Sequence, residues 1–324
     1  MPEKVGISII TINLTKFLSV KKLFLSNVRQ GLKYFYAVKK FRVGNKIKAN
    51  KDSLYRDVEF LTSIYPFRNY KNPESLKKAA NFIENEFKKT GLHTARQEWL
   101  VGKETYENII AKYQPEKTKR FIIGAHYDVY KNQPGADDNA SSVAGLLEIA
   151  RMLTKKGVAL DYGIDFVSFC LEEPPFFKKK EMGSYIHAKS IRDQNIEYIG
   201  MVALEMIGYY HEEPEHTAEN KSNKNFLIVS GIKRFDGFNK NISKLLKAYG
   251  AIDSRRLSYA DNYRNNGPSD YRNYWKYGIP AVMVIGTGGH GNPHYHKATD
   301  TIETLDFEIM SRAVNSLVYA LINF

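Results

Sequence analysis

The 324 residues include a single cysteine, Cys170, which excludes an internal disulfide framework and any zinc site built from thiolates. Cys170 lies in the apolar run Phe166-Val167-Ser168-Phe169-Cys170-Leu171 and reads as a core residue, not a nucleophile. Glycine and proline show no low-complexity bias. No self-similarity recurs at a period of about 20–50 residues, so solenoids and propellers are excluded. Long apolar runs are also missing. The nearest approach, Val5 to Val20, is broken by Asn13 and Lys16. It is too short and polar for a span of ~20 apolar residues, and no small-residue cleavage site follows it. It reads as either a degraded signal or an amphipathic surface helix, and the compartment stays open.

What is present suits a globular protein: 43% hydrophobic and 26% charged residues, in a chain long enough to bury a full-sized core. The net charge of +13 is unevenly spread. Residues 1–51 carry twelve lysines and arginines against Glu3 alone, a balance of +11 that leaves +2 for the remainder. The expected organisation is therefore a basic N-terminal extension over 1–51 followed by a catalytic domain over 52–324. Basic segments with interleaved Phe, Tyr and Leu can lie on anionic membrane or bind nucleic acid. No base-stacking motif is found and the body is nearly neutral. Nucleic acid is thus not an expected partner, whereas anionic membrane contact through the extension is open, as is a solvated leader.

Within the body, Asn72-Pro73-Glu74 predicts a helix start with Asn72 as N-cap, and Gly91 predicts its stop. Strands are expected over 107–113, 121–127, 164–171, 200–204, 226–230 and 281–285. Further helices are expected over 141–155, 183–192, 237–249 and 306–322. Continuous apolar strands are buried on both faces, which predicts an α/β fold: a mixed, largely parallel central sheet covered by helices on both faces. In such sheets ligands bind outside the carboxyl ends of the strands. His126 and Asp128 close one strand, Glu172 and Glu173 the next, and Glu205 the third, while His296 follows the last by about ten residues.

Each element has an ordinary reading. A lone histidine at a strand end is commonly a surface residue, and Asp137-Asp138-Asn139 in a loop opening a helix commonly caps it. The concentration at one sheet edge favours chemistry instead. In His126-x-Asp128 both side chains point to one face, so a carboxylate can fix the imidazole's tautomer. Adjacent Glu172 and Glu173 point to different sides, so one can ligate a metal while the other faces substrate. His290 and His294 compete with His296 as ligands in the last loop.

Taken in order, His126-x-Asp128, Gly-Ala-Asp-Asp138-Asn-Ala-Ser, Glu172-Glu173 and Asn-Pro-His-Tyr-His296 resemble the co-catalytic zinc aminopeptidases, a family related to glutamate carboxypeptidase II and the zinc glutaminyl cyclases. The similarity covers roughly Asp52 to Phe324. It implies a zinc exopeptidase fold, a peptide substrate and two zinc ions. Terminal ligands would be His126, Glu205, Glu173 and His296, and Asp138 would bridge the ions. The resemblance further implies Asp128 as the group orienting His126 and Glu172 as general base. Many relatives have Asp where this chain has Glu205, and Ser-Asp-His where it reads Ser269-Asp270-Tyr271. Tyr271 and Tyr295 are candidate oxyanion or substrate contacts, and Glu212 or Glu213 candidate acceptors for a free amine. Relatives are often exported, which tilts the expectation toward export or membrane association.

Two rivals share the fold. A glutaminyl cyclase would carry one zinc on the equivalents of Asp138, Glu173 and His296, with Trp where this chain has Tyr295. A non-catalytic binding homologue, like transferrin receptor ectodomains, would have lost ligands that this chain keeps.

Overall fold

The computed structural model describes residues 48–211, 225–249, 251–261, 267–287 and 291–324. The candidates His290, Glu212 and Glu213, and the segment Val5 to Val20, lie outside the described residues. Lys48–Phe324 form one compact unit. It opens with helix α1 (Lys51–Ser63), whose N-terminus is capped by Asn50 Oδ1 accepting from the Asp52 and Ser53 amides. Helix α2 (Pro73–Lys89) begins with Pro73 at its first turn, as expected. Asn72, however, does not cap it through its side chain: the amide donates instead to Phe67 O, tying the preceding loop.

Eight strands among the described residues form one sheet. They are β1 (His93–Val101), β2 (Glu104–Tyr113), β3 (Lys119–His126), β4 (Gly163–Phe169), β5 (Glu197–Glu205), β6 (Phe226–Ile232), β7 (Asp253–Tyr259) and β8 (Ala281–Gly286), in the order β1-β2-β4-β3-β5-β8-β6-β7. The centre, β4-β3-β5-β8, is parallel throughout. Antiparallel pairing sets in only toward the flanks, at β1·β2, β2·β4 and β6·β8. Parallel alignment of the four central strands is what brings their carboxyl ends, and the acidic residues and histidine that close them, to one edge of the sheet.

Both faces are covered, which explains the largely apolar central strands, interrupted by the buried ion pair of Arg120 on β3 and Asp165 on β4. On one face, Ile122, Val167, Phe169, Met201, Ala203 and Met283 form a core with Ala188 and Ile191 of α4 (Gly183–Ile191) and Tyr274 and Trp275 of α6 (Arg272–Trp275). On the other, Phe121 meets Phe238 of α5 (Asp236–Ala248) and Phe324, which follows α7 (Phe307–Ile322). Helix α3 (Ser142–Lys156) packs on that face close enough that a Cβ on Gly145 would stand 2.6 Å from Ile207 Cδ1. None of the helices among the described residues is long and apolar enough to cross a membrane.

Candidate metal centre

The carboxyl ends of β3, β4 and β5 deliver His126, Glu172, Glu173 and Glu205; the turn Ala136–Ser141 delivers Asp138; and the loop after β8 delivers His296. All are buried except His296, which is half-buried. Two groups of donors result. His126, Asp138 and Glu205 form one, and Asp138, Glu173 and His296 the other, with Asp138 common to both. His126 Nε2 lies 3.4 Å from Asp138 Oδ1 and 3.3 Å from Glu205 Oε1; His296 Nε2 lies 3.2 Å from Asp138 Oδ2 and 3.4 Å from Glu173 Oε2.

These spacings are long for charge-assisted hydrogen bonds, which run about 2.7–2.9 Å. They match instead the edges of a zinc coordination tetrahedron, about 3.3–3.5 Å for ligands about 2.0–2.2 Å from the ion. Glu173 Oε1 is buried without a hydrogen-bond partner among the described residues, a costly state for a carboxylate oxygen that a cation would relieve. Imidazoles and carboxylates without thiolate are also the donor set of catalytic zinc. The residues present fit the metal. Glu172 makes a third grouping with His126 and Glu173, but its oxygen stands 3.9 Å from His126 Nε2, further than any of the four histidine–carboxylate distances above.

The electrostatics point the same way. Burial, then neighbouring Asp138, pushes the Glu173 carboxyl up to about 8 against the pull of His296. Burial also raises Glu172 well above the usual carboxylate range; His126 opposes this, while Asp270, Glu173 and Glu205 add to it. Burial alone would lower both imidazoles. Glu205, Asp128 and Asp138 nevertheless hold His126 well above its ordinary value, and hydrogen bonds to Asp138 and Glu173 carry His296 up to about 10.

The backbone at the site is held in unusual conformations. Leu171 before Glu172, Met206 after Glu205, and His296 itself have φ of 61°, 43° and 58°. A left-handed non-glycine residue costs about 1–3 kcal/mol and persists where surrounding structure enforces it, often at functional sites. Gly135 turns the chain into the Asp138 loop at φ 62°, where a Cβ would fall 2.3 Å from Val129 Cγ1 and 2.4 Å from Asp138 O.

Asp128 has a second role beside His126. The nearer partner of His126 Nδ1 is the backbone carbonyl of Asp128, at 3.1 Å, while its carboxylate oxygen stands 3.6 Å away. That carboxylate accepts the amides of Glu172 (3.1 Å) and Glu173 (3.0 Å). Strand-end geometry leaves those two amides without a ladder partner, and Asp128 supplies one, so a single residue orients His126 by its main chain and the Glu-Glu pair by its side chain. Tyr271 is fully buried, its ring edge-on to Trp275 at 4.8 Å, and packs within the core cluster. Tyr295 is half-exposed and stacks on His296 with centroids 3.8 Å apart. His294 hydrogen-bonds Thr299 Oγ1 and is not among the grouped donors.

Several supporting residues are not apparent from the sequence. Asp300 accepts the amides of Asp137 (2.8 Å) and Asp138 (3.1 Å). Asp137 accepts from the Gly208 and Tyr209 amides and from Asn292 Nδ2, joining the β5 loop to the His296 loop. Asn139 bridges Leu204 O and the Met206 amide on either side of Glu205. Ser269 Oγ donates to Glu205 Oε2, so the longer Glu205 side chain reaches the cluster with its second oxygen held. Arg68, fully buried, donates to the carbonyls of Leu61, Tyr127, Pro134 and Gly135 and clamps both ends of the loop between His126 and Asp138. Replacing Arg68 with Met takes the guanidinium from the Leu61, Tyr127 and Pro134 carbonyls, while Gly135 O keeps the Ala140 amide. The expected loss is about 3 kcal/mol or more, measured as a lower urea midpoint at unchanged slope.

A buried, acid-rich cluster with one carboxylate shared between two donor triads, at the carboxyl edge of a parallel sheet, is a candidate metal centre. The chain belongs to peptidase family M28, whose pattern matches residues 108–321. It is 34% identical over 297 residues to the Escherichia coli protein YfbL, covering 85% of this chain and 88% of that one. Among solved structures, the Bacteroides thetaiotaomicron glutaminyl cyclase bound to N-acetylhistamine superposes with a TM-score of 0.69 at 22% identity, over 86% of this chain and all of that one. A leucine aminopeptidase precursor from the same organism gives 0.69 at 22% identity, over 87% of this chain and 100% of its own.

Proposed function

We propose that the protein is a zinc-dependent aminopeptidase that holds two zinc ions and removes N-terminal residues from peptides. The observation that carries this reading is Asp138, whose two oxygens face His126 and His296 separately and so serve two complete triads. A one-metal cyclase centre needs only Asp138, Glu173 and His296. It leaves His126 and Glu205 without a role, though both are buried and 3.3 Å apart. Zinc bound at these residues supplies Lewis acidity toward the scissile carbonyl and lowers the pKa of water.

The chain's own part is positioning and proton transfer. Glu172 sits next to the ligand Glu173, anchored through its amide by Asp128, and its carboxylate is a candidate general base for the attacking water. In this reading it takes a proton from the attacking water and returns it to the departing amine. Tyr295, stacked on His296 at the open side, offers its hydroxyl to the developing oxyanion.

The test is a panel of aminoacyl-nitroanilides and N-terminal glutaminyl peptides, with and without chelator. Chelator-sensitive release of nitroaniline is expected, with activity restored by zinc. Formation of pyroglutamyl peptide without any hydrolysis moves the protein to the cyclase reading.

A further inference from the structure

Beside the cluster lies a cavity of about 580 Å³ whose walls include Tyr70, Tyr130, Pro174 and Pro175 and whose rim carries Lys71 and Lys131. It borders the Asp138–Glu173–His296 half of the centre. Tyr130 stacks flat on the His296 imidazole, centroids 4.1 Å apart at 12°, and Pro174 follows Glu173 directly. The lysines sit over aromatic rings of the same wall, Lys71 Nζ 5.8 Å from the Tyr70 centroid and Lys131 Nζ 4.7 Å from that of Tyr130. Neither has a salt-bridge partner among the described residues.

The two lysine-bearing segments, far apart in sequence, are fixed to each other. Buried Asn69 donates to Lys131 O and accepts from the Lys71 amide. Lys131 is itself held at φ 48°, a conformation that a non-glycine residue adopts only under constraint. The rim is therefore built in advance, which lowers the cost of fixing a ligand there.

We infer that this cavity is the subsite for the part of the peptide beyond the scissile bond, and that Lys71 and Lys131 bind a carboxylate on it. The inference rests on the aminopeptidase reading and names the substrate class for it: short peptides with a free C-terminus, or peptides whose second residue is acidic. Charge sets the direction. A substrate's N-terminal ammonium is repelled by two lysines and attracted toward the Glu205 half, where Asp270 is buried nearby. The chain leaving the other side enters between Tyr130 and Pro174, its apolar atoms against the aromatic wall and its anionic group at the rim.

The experiment compares kcat/KM of the full chain for Leu-Gly against Leu-Gly-NH2, and for Leu-Asp-NH2 against Leu-Asn-NH2. A preference in the first pair assigns the carboxylate to the C-terminus, and in the second to the side chain. The expected preference is about tenfold at low salt, the size of two partly exposed ion pairs, shrinking as salt is raised. It falls to near one in Lys71→Met/Lys131→Met and persists in the distant control Lys155→Met/Lys156→Met. No preference in the unmodified protein, or a preference that survives in Lys71→Met/Lys131→Met, overturns the inference. If none of the peptides is cleaved, the aminopeptidase reading has failed, and the subsite is judged by calorimetric binding of N-acetylglycine. About tenfold weaker binding to Lys71→Met/Lys131→Met than to the unmodified protein supports it, and equal binding overturns it.

Discussion

Replacing Glu172 with glutamine is expected to lower kcat on leucine nitroanilide by about 10²–10⁴-fold, the usual contribution of a positioned general base. Glutamine keeps the side chain's size and one carbonyl oxygen, so packing at the end of β4 is preserved; what it loses is the ability to accept a proton. Glu172 also stands outside both shared-edge triads, 3.9 Å from His126 Nε2 against 3.2–3.4 Å for the contacts within them. Bound zinc, measured by plasma mass spectrometry, should therefore be unchanged in Glu172→Gln. Loss of zinc together with activity would make Glu172 a ligand.

Asp138→Ala is expected to do more, because one residue serves two centres. With it go the contacts to His126 at 3.4 Å and to His296 at 3.2 Å. Each remaining half keeps only His126 with Glu205, or Glu173 with His296, one ligand short of the three that a catalytic zinc site uses. Both ions should be lost at micromolar zinc, and activity should fall by about 10³-fold or more as several kcal/mol of charge stabilisation disappear. The zinc-dependent rise in melting temperature, which follows from binding to the native state alone, should vanish with them. Glu205→Ala provides the contrast. It touches one triad, so one ion should remain on Asp138, Glu173 and His296.

Much of this is legible in the amino-acid sequence, for a physical reason. Central strands of a parallel sheet are largely apolar, so β3, β4, β5 and β8 stand out along the chain, and a charged residue closing such a run is conspicuous. His126, Glu172, Glu173 and Glu205 are found in this way. The outermost strands are not: β1 runs through exposed and half-buried positions, β7 is mostly exposed, and they carry Arg96, Glu98, Arg255 and Arg256, which reads as loop. Helix α1 lies where the basic extension gives way to the body, and only its Asn50 cap marks it.

The supporting shell is illegible because its partners are remote in the chain. Asp300 is 162 residues from the Asp138 amide it holds, and Arg68 is 67 residues from Gly135. Nothing local distinguishes Arg68 in its loop from a solvated arginine. Asp137 has a visible signal in being paired with Asp138, but of two adjacent acids the sequence shows only that they point differently. The structure divides them, Asp138 toward the imidazoles and Asp137 toward the Gly208 and Tyr209 amides. The same division of labour explains Asp128, whose carbonyl and carboxylate both approach His126 while the carboxylate also holds the neighbouring strand end.

The two-metal aminopeptidase is tested most directly by titrating the metal-stripped full chain with zinc while following bound metal and leucine nitroanilide hydrolysis together. The account predicts two zinc ions per chain in the unmodified protein and one in Glu205→Ala, with full activity reached only as the second site fills. Saturation at a single zinc, with Glu205→Ala binding the same amount and cyclising glutaminyl peptides undiminished, would contradict it.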